Sequence, residues 1–311
     1  MAKGEGSVNG KKRRIGFVGA GTVGSLLANS LHSHGYPVAA VASARHASAE
    51  RLASAVHATA CDHAQQVADA SDIVFITTPD DAIEKTAAAV RWLPRHNAVH
   101  CSGALTVAVL GPVTRAGGQV AGFHPMQTFT AGGRNSLSGV TVAIEGEGAL
   151  QRELAGIAAE LGCPAIAVKS SDKAMYHLSG VLASNYVVTL YQTAVQVLEE
   201  IGVPSNKAGT ALLTLLEGVA SNIAMAGLPA ALTGPIARGD AGTISRHLDE
   251  LRRRSPELLP LYEALGRETV PIAAAKGIAN VAALERILNL LGAEQPERPL
   301  AFASQHSLEV S

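Results

Sequence analysis

Through the first half of the chain, short apolar runs alternate with stretches whose apolar residues recur every three or four positions. RIGFVG at 14–19 and PVAAVAS at 37–43 read as strands, followed by helices over 22–34 and 47–56. DIVFITTP at 72–79 is apolar throughout its centre, the pattern of a strand buried on both faces of a sheet, and a helix is expected from 80 to about 93. Further strands are read in AVHCSG at 98–103, QVAGFHP at 119–125, GVTVAIEG at 139–146 and PAIAVKS at 164–170, the last two separated by a helix over 150–161. Such alternation calls for right-handed crossovers and a doubly wound, mostly parallel α/β sheet of the Rossmann type. Past residue 170 the apolar period is 3.6 as far as about 291, with no strand pattern and with breaks at Gly202-Val-Pro, Gly227-Leu-Pro, Gly234-Pro, Gly239-Asp and Ser255-Pro. The expected organisation is a flexible tail at 1–13, a dinucleotide-binding domain at 14–169, an all-helical domain at 170–292 and a tail at 293–311.

Composition narrows the function classes. A chain of 311 residues, 47% hydrophobic and 16% charged, buries a large core and is not disordered. A formal net charge of −1 leaves no global positive field for nucleic acid or an anionic membrane. Three cysteines without a CxxC pair fit a reducing compartment rather than a disulfide framework. The basic start MAKGEGSVNGKKRR is followed by a glycine-broken apolar run, unlike a secretory signal, and no uninterrupted apolar stretch approaches the roughly 20 residues that span a bilayer. The cytoplasm is the expected location.

Candidate chemistry begins at Gly19-Ala20-Gly21-Thr22-Val23-Gly24, a G-x-G-x-x-G between a strand and a helix. There the first glycine allows the turn, the second admits a pyrophosphate to the backbone, and the third lets helix pack on strand. The pyrophosphate would rest on free N–H groups at the helix N-terminus. An NAD site wants an acid at the end of the second strand; this chain reads Val41-Ala42-Ser43-Ala44-Arg45, with no carboxylate before Glu50. A hydroxyl and a guanidinium suit a 2′-phosphate, so NADP(H) is the expected cofactor, with a solvated Arg45 as the alternative. Thr77, Thr78 and Pro79 leave a strand at the edge where the nicotinamide half of such a cofactor lies. Ser102, leaving the next strand, has two readings: donor to a substrate oxygen, or a helix-start turn.

SSDKAMYHLSGVLASNY at 170–186 is the sharpest feature. At 100° per residue, Lys173, His177, Gly180 and Ser184 fall in one stripe of a helix, with Asn185 at its margin. A lysine withdrawn from water holds its proton less tightly, which makes Lys173 a candidate general acid, with His177 orienting substrate or sharing the proton work. The bland alternative is a solvated first-turn lysine and a satisfied core histidine. His124, before Pro125-Met126, is expected to line the floor of the site or fix a loop; His100, Cys101, His124 and His177 match no metal spacing, so no metal is expected. Arg238-Gly239-Asp240 spells an adhesion tripeptide, but Pro235 suits a first helical turn and Asp240 is placed to cap the following helix. That leaves Arg238 either facing a substrate carboxylate or as a surface arginine on a loop.

GAGTVG, DIVFITTPDDAI, FHPMQTF, the Lys173-xxx-His177 pair and LTGPIARGDAGTISRHL together resemble a bacterial family that joins a Rossmann-like NADP-binding domain to a helical domain of unknown function. The resemblance spans about 14–291 and is most specific in FHPMQTF and the LTGPxxRGDxxT run. That family is similar to the 6-phosphogluconate dehydrogenase, hydroxyisobutyrate dehydrogenase, ketopantoate reductase and pyrroline-5-carboxylate reductase group. The resemblance implies a proton-donating lysine at Lys173, but the partner asparagine common four residues later is His177 here. It also implies a homodimer formed through the helical domain. The function expected is NADPH-dependent reduction of a small, ketopantoate-like 2-oxo acid, with Lys173 as donor and Ser102, His177 and Asn185 positioning the substrate. An imine or prephenate-type reductase or dehydrogenase on the same scaffold is the alternative, since HPM also occurs in prephenate dehydrogenases. A non-catalytic NADP(H)-binding regulatory protein is the alternative of another class.

Overall fold

The structure is a computed structural model that describes residues 12–129 and 136–292. It divides into two compact units, Met1–Thr189 and Leu190–Ser311. The first is built on eight strands: β1 Ile15–Val18, β2 Val38–Ala42, β3 Thr59–Cys61, β4 Ile73–Ile76, β5 Asn97–His100, β6 Val120–Pro125, β7 Val142–Glu145 and β8 Ala165–Val168. They lie in the order β3-β2-β1-β4-β5-β6-β7-β8. Winding therefore reverses between β1 and β4, which opens a crevice at the carboxyl ends of those strands. Neighbours are parallel except β6 and β7. Parallel strands need a crossover of a dozen or more residues, usually helical; the described residues between β6 and β7 contain no helix, and the pair runs antiparallel.

Six helices cover the sheet: α1 Thr22–Ser33, α2 His46–Ala55, α3 Ala64–Ala70, α4 Asp80–Ala88, α5 Gly111–Arg115 and α6 Gly148–Glu160. Leu27 and Leu31 of α1, Leu52 of α2 and Leu154 of α6 pack with Ile15, Phe17, Phe75 and Phe123 on one face. Val67 of α3, Ile83 of α4 and Val113 of α5 pack with Val18, Val74 and Ile76 on the other. β1 and β4 are buried along their whole length, as their apolar runs require, and β5 is buried throughout although Asn97 and His100 are polar. Phe75 stacks on Phe17 at 5.3 Å and meets Phe123 edge-on at 5.9 Å, tying three strands through one aromatic row.

α7 Lys173–Ala183 follows β8 after a single 3₁₀ turn, and α8 Asn185–Glu200 carries the chain past the unit boundary at Thr189. The second unit continues with α9 Ser205–Ala226, α10 Pro235–Arg238, α11 Ala241–Arg254, α12 Leu259–Lys276 and α13 Val281–Leu290. Its core gathers Ile244, Leu248, Val270, Leu284 and Ile287. Every expected helix break falls between elements, and Asp240 caps α11, its carboxylate accepting the Thr243 N–H at 3.0 Å.

The first compact unit extends through α7 to Thr189, past the 169 expected for the dinucleotide-binding domain, and Lys173 at the start of α7 is ion-paired to Glu145 of β7. Lys12 and Arg13, expected in a free tail, are tied down: Lys12 Nζ donates to Glu160 at 2.7 Å and Arg13 to Glu153 at 3.0 Å. The rest of that tail, residues 1–11, and the one expected at 293–311 lie outside the described residues. α4 stops at Ala88 rather than near 93, and the chain turns to bury Trp92, whose Nε1 donates to Ala87 O at 2.7 Å. By length and composition α9 is apolar enough to cross a bilayer, although Lys207 and Glu217 interrupt its apolar run.

Candidate functional site

The glycine loop sits at the carboxyl end of β1, at the sheet's switch point. Gly19 has φ +116°, and a Cβ on Gly24 would lie 2.5 Å from the Gly19 carbonyl oxygen, so neither position tolerates a side chain. Thr77 Oγ1, leaving β4, donates to that carbonyl at 2.8 Å and holds the turn closed. The N-cap of α1 is Gly21, so no side chain caps the helix, and a Cβ on Gly21 would meet open space. Thr22, Val23 and Gly24 thus present first-turn N–H groups that no side chain satisfies, beside Ala20 and Gly21, an arrangement made for an anion. Thr78 Oγ1 is buried with no hydrogen-bond partner, and Pro79 forms the N-cap of α4. At the end of β2, Ser43 is half-buried and Arg45 is exposed at the start of α2, with no ion pair among the described residues.

A second cluster lies in the same unit, at the carboxyl ends of β5 and β6. A Cβ placed on Gly103 would stand 2.8 Å from the His124 ring and 3.2 Å from the His177 ring, which shows how closely both approach the β5 edge. A pocket of about 560 Å³ opens here, lined by His124, Met126, Gln127 and Thr128 of the β6 end and by Tyr176, His177, Gly180, Ser184 and Asn185 of α7 and α8. His124 Nδ1 and Tyr176 Oη are 2.5 Å apart, with the two rings edge-on. Burial, then the charge on Lys173, pushes the His124 imidazole down to about 4, so it is neutral near pH 7. Burial pushes the Tyr176 phenol up to about 12, so it keeps its proton. The helix breaks at Ser184, whose Oγ lies 2.6 Å from Gly180 O and 3.0 Å from Asn185 Oδ1.

The stripe read from the sequence thus brings His177, Gly180, Ser184 and Asn185 to one wall, together with His124. Lys173 points elsewhere. Side chains in a first helical turn point back past the helix N-terminus. Lys173 accordingly reaches Glu145 Oε2 at 3.0 Å, an ion pair in which each side chain is 1% exposed and the alignment falls short of a hydrogen bond. Burial disfavours the Glu145 charge, but the Val107 N–H at 2.9 Å, the Ser170 hydroxyl at 2.7 Å and Lys173 outweigh it and hold the carboxyl below its ordinary value. His100, fully buried nearby, is pushed down to about 4 by burial and then by Lys173. Ser102 makes helix-start contacts: its Oγ donates to Asp80 at 2.7 Å and accepts the Leu105 N–H at 3.0 Å. Arg238 ends α10 in the second unit, exposed and without an ion pair among the described residues. No group of His, Cys, Asp and Glu among the described residues is arranged to hold a metal. Tyr176 and Glu145 went unremarked in the sequence, although Tyr176 is four residues before Gly180, on the same helical face.

This architecture defines a Rossmann-like α/β protein with a helical C-terminal region. Comparison of the chain with known families agrees: residues 2–125 match the Rossmann-like domain, and residues 140–269 match a domain of unknown function, DUF2520. The chain therefore joins a Rossmann-like domain to a DUF2520 domain. Among solved structures it is similar to a protein from Thermotoga maritima, at 24% identity and a TM-score of 0.70, over 84% of this chain and 99% of that one. It is also similar to a reductive aminase from Aspergillus terreus in complex with NADPH and ethyl levulinate (14% identity, TM-score 0.59, 89% and 99% covered). A pyrroline-5-carboxylate reductase from Coxiella burnetii shares the layout at 16% identity and a TM-score of 0.55, over 90% and 99% of the two chains. No curated protein matches the sequence.

Proposed function

We propose that this chain is an NADP(H)-dependent oxidoreductase that reduces the carbonyl of a small 2-oxo acid, ketopantoate being the first compound to try. The observation that carries the reading is the uncapped N-terminus of α1 behind a glycine turn that admits no side chain. Those N–H groups fit a pyrophosphate, Ser43 and Arg45 fit a 2′-phosphate, and the unpartnered Thr78 hydroxyl fits the nicotinamide half. When bound, NADPH supplies the hydride. The chain supplies the pocket wall at the same sheet edge, where His177 and the Asn185 amide position the substrate. Arg238, exposed and without an ion pair among the described residues, offers a guanidinium fork of the kind that binds a carboxylate.

The donor set favours a carbonyl. Among the described residues, no carboxylate lines the pocket, and Glu145 is sealed under Lys173, so no anion waits for an iminium cation. A second reading, reduction of a cyclic imine, is favoured by the fold shared with the reductive aminase and the pyrroline-5-carboxylate reductase. The chain works in the cytoplasm as a homodimer. Leu215 and Met225 of α9 are exposed, while Asn206, Lys207, Glu217 and Asn222 interrupt that helix, which suits a protein interface better than lipid. Light scattering on the purified chain reads its mass; a monomer at micromolar concentration rejects the dimer.

The test is NADPH consumption over a panel of 2-oxo acids, cyclic imines and prephenate. Fastest turnover on a 2-oxo acid supports the reading, and turnover confined to imines transfers it to the second. Tight NADPH binding without turnover on any compound would make the chain a non-catalytic NADP(H)-binding protein.

A further inference from the structure

The Lys173 ammonium does not reach the pocket, yet a reductase acting on a carbonyl needs a proton at the oxygen as hydride arrives at the carbon. Among the residues lining the pocket, Tyr176 carries a hydroxyl held by a neighbouring ring: its Oη is 2.5 Å from His124 Nδ1. We propose that Tyr176, and not Lys173, is the proton donor of this site, and that His124 is its positioning residue. The inference rests on the reductase reading above and deepens it.

Three features of the site support it. The two partners come from different elements, β6 and α7, and their contact fixes the tyrosine ring against the strand end. With His124 as the Nδ1–H tautomer, that N–H donates to Oη and leaves the tyrosine's own hydrogen free to point into the cavity. Lys173 Nζ stands 5.8 Å from the Tyr176 ring centroid and does not line the pocket. The ammonium itself is held by Glu145 in a contact closed to solvent.

The step balances simply. Hydride adds to the carbonyl carbon while the C=O π pair moves to oxygen, which takes the Tyr176 proton and becomes the product hydroxyl. The phenolate, stabilised by His124 Nδ1–H, regains a proton from water once product has left. Because burial holds the Tyr176 phenol up to about 12, the donor form persists through the neutral range.

Turnover of the full-length chain on its best panel substrate tests this with five proteins: wild type, Tyr176→Phe, His124→Asn, Tyr176→Phe/His124→Asn and the double variant Lys173→Met/Glu145→Gln. The last removes both members of the buried ion pair, so no charge is left stranded, and thermal melts with NADPH titrations check folding and cofactor binding in all five. Tyr176→Phe is expected to lose about 100-fold or more in kcat with little change in KM, the range of a general acid. His124→Asn is expected to lose less, and adding it to Tyr176→Phe to cost nothing further, since both act through one proton. The double variant is expected to retain most of its kcat. A folded, NADPH-binding Tyr176→Phe with near wild-type kcat, beside a folded but inactive double variant, would return the role to Lys173 and overturn the proposal alone. A wild type that binds NADPH and reduces nothing on the panel overturns the reductase reading, and this proposal with it.

Discussion

Glu145 and Lys173 are both 1% exposed, so each charge depends on the other. Removing ions from water costs several kcal/mol apiece, and a buried pair recovers this only through close contact and further hydrogen bonds. Glu145 has those bonds, from Val107 N–H and Ser170 Oγ, whereas the remaining donors of Lys173 find no partner. The pair is therefore asymmetric, and the ammonium is the exposed liability. Glu145→Gln alone strands it and should destabilise the first unit by about 3–5 kcal/mol in chemical denaturation. Lys173→Met/Glu145→Gln should recover most of that loss, because no charge then remains to be compensated. A single variant as stable as wild type would show that water reaches the ammonium. At the opposite end of the crevice, Arg45 has no ion pair to give up among the described residues. Arg45→Glu is expected to raise the Kd for NADPH by roughly tenfold or more, the worth of a charge-assisted hydrogen bond, and to leave the Kd for NADH nearly unchanged. Equal losses for both nucleotides would remove Arg45 from the 2′-phosphate site.

α1 is the element on which nucleotide binding turns, since its N-terminus and the glycine loop share one backbone. Gly24→Ala puts a methyl 2.5 Å from the Gly19 carbonyl oxygen and from Thr77 Oγ1, and the helix must move away from β1 and β4. NADPH binding by fluorescence titration should weaken by at least tenfold, about 1.4 kcal/mol, while the melting temperature falls only modestly; unchanged affinity would place the pyrophosphate elsewhere. The sequence made this element plain because its strand, glycines and helix each carry a strong local pattern. β3 and α3 lacked one: TAC at the sheet edge is three residues long, and α3 buries only Val67 and Ala68. Their place is set by pairing with β2, a tertiary fact that no local period announces. α7 shows the other limit. Its pitch correctly placed His177, Gly180, Ser184 and Asn185 on one wall, but a helical wheel has no axial tilt. Lys173 therefore looked like a member of that wall, although its stem runs back under the helix end to β7. The sequence leaves His124 either lining the floor of the site or fixing a loop there, whereas its pairing with Tyr176 needs the distance between β6 and α7.

For the molecule as a whole, the buried imidazoles set how stability responds to acid. His100 and His124 are held neutral in the folded chain at values of about 4, against an ordinary 6.5, first by burial and next by the Lys173 charge. Glu145 and Asp80 pull the His100 value the other way without overcoming this. Below pH 6.5 the unfolded chain takes up protons at these positions that the folded chain refuses, so unfolding is increasingly favoured as pH falls toward 4. Above 6.5 both states are neutral there and the contribution is constant. Glu145, held below its ordinary 4.5, adds in the same direction but later, its stabilisation being lost only as pH drops through its lowered value. The melting temperature should thus decline in two stages, a histidine stage between pH 6.5 and 4 and a carboxylate stage below it. His100→Gln keeps an amide near the Ser102 N–H that the ring accepts at 3.2 Å but cannot titrate. In a series of thermal melts it should make the first stage shallower, leaving the His124 share, and leave the second in place. A first stage as steep in the variant as in wild type would mean that His100 is already protonated in the folded chain, and its burial beside Lys173 would then need a counter-charge other than Glu145.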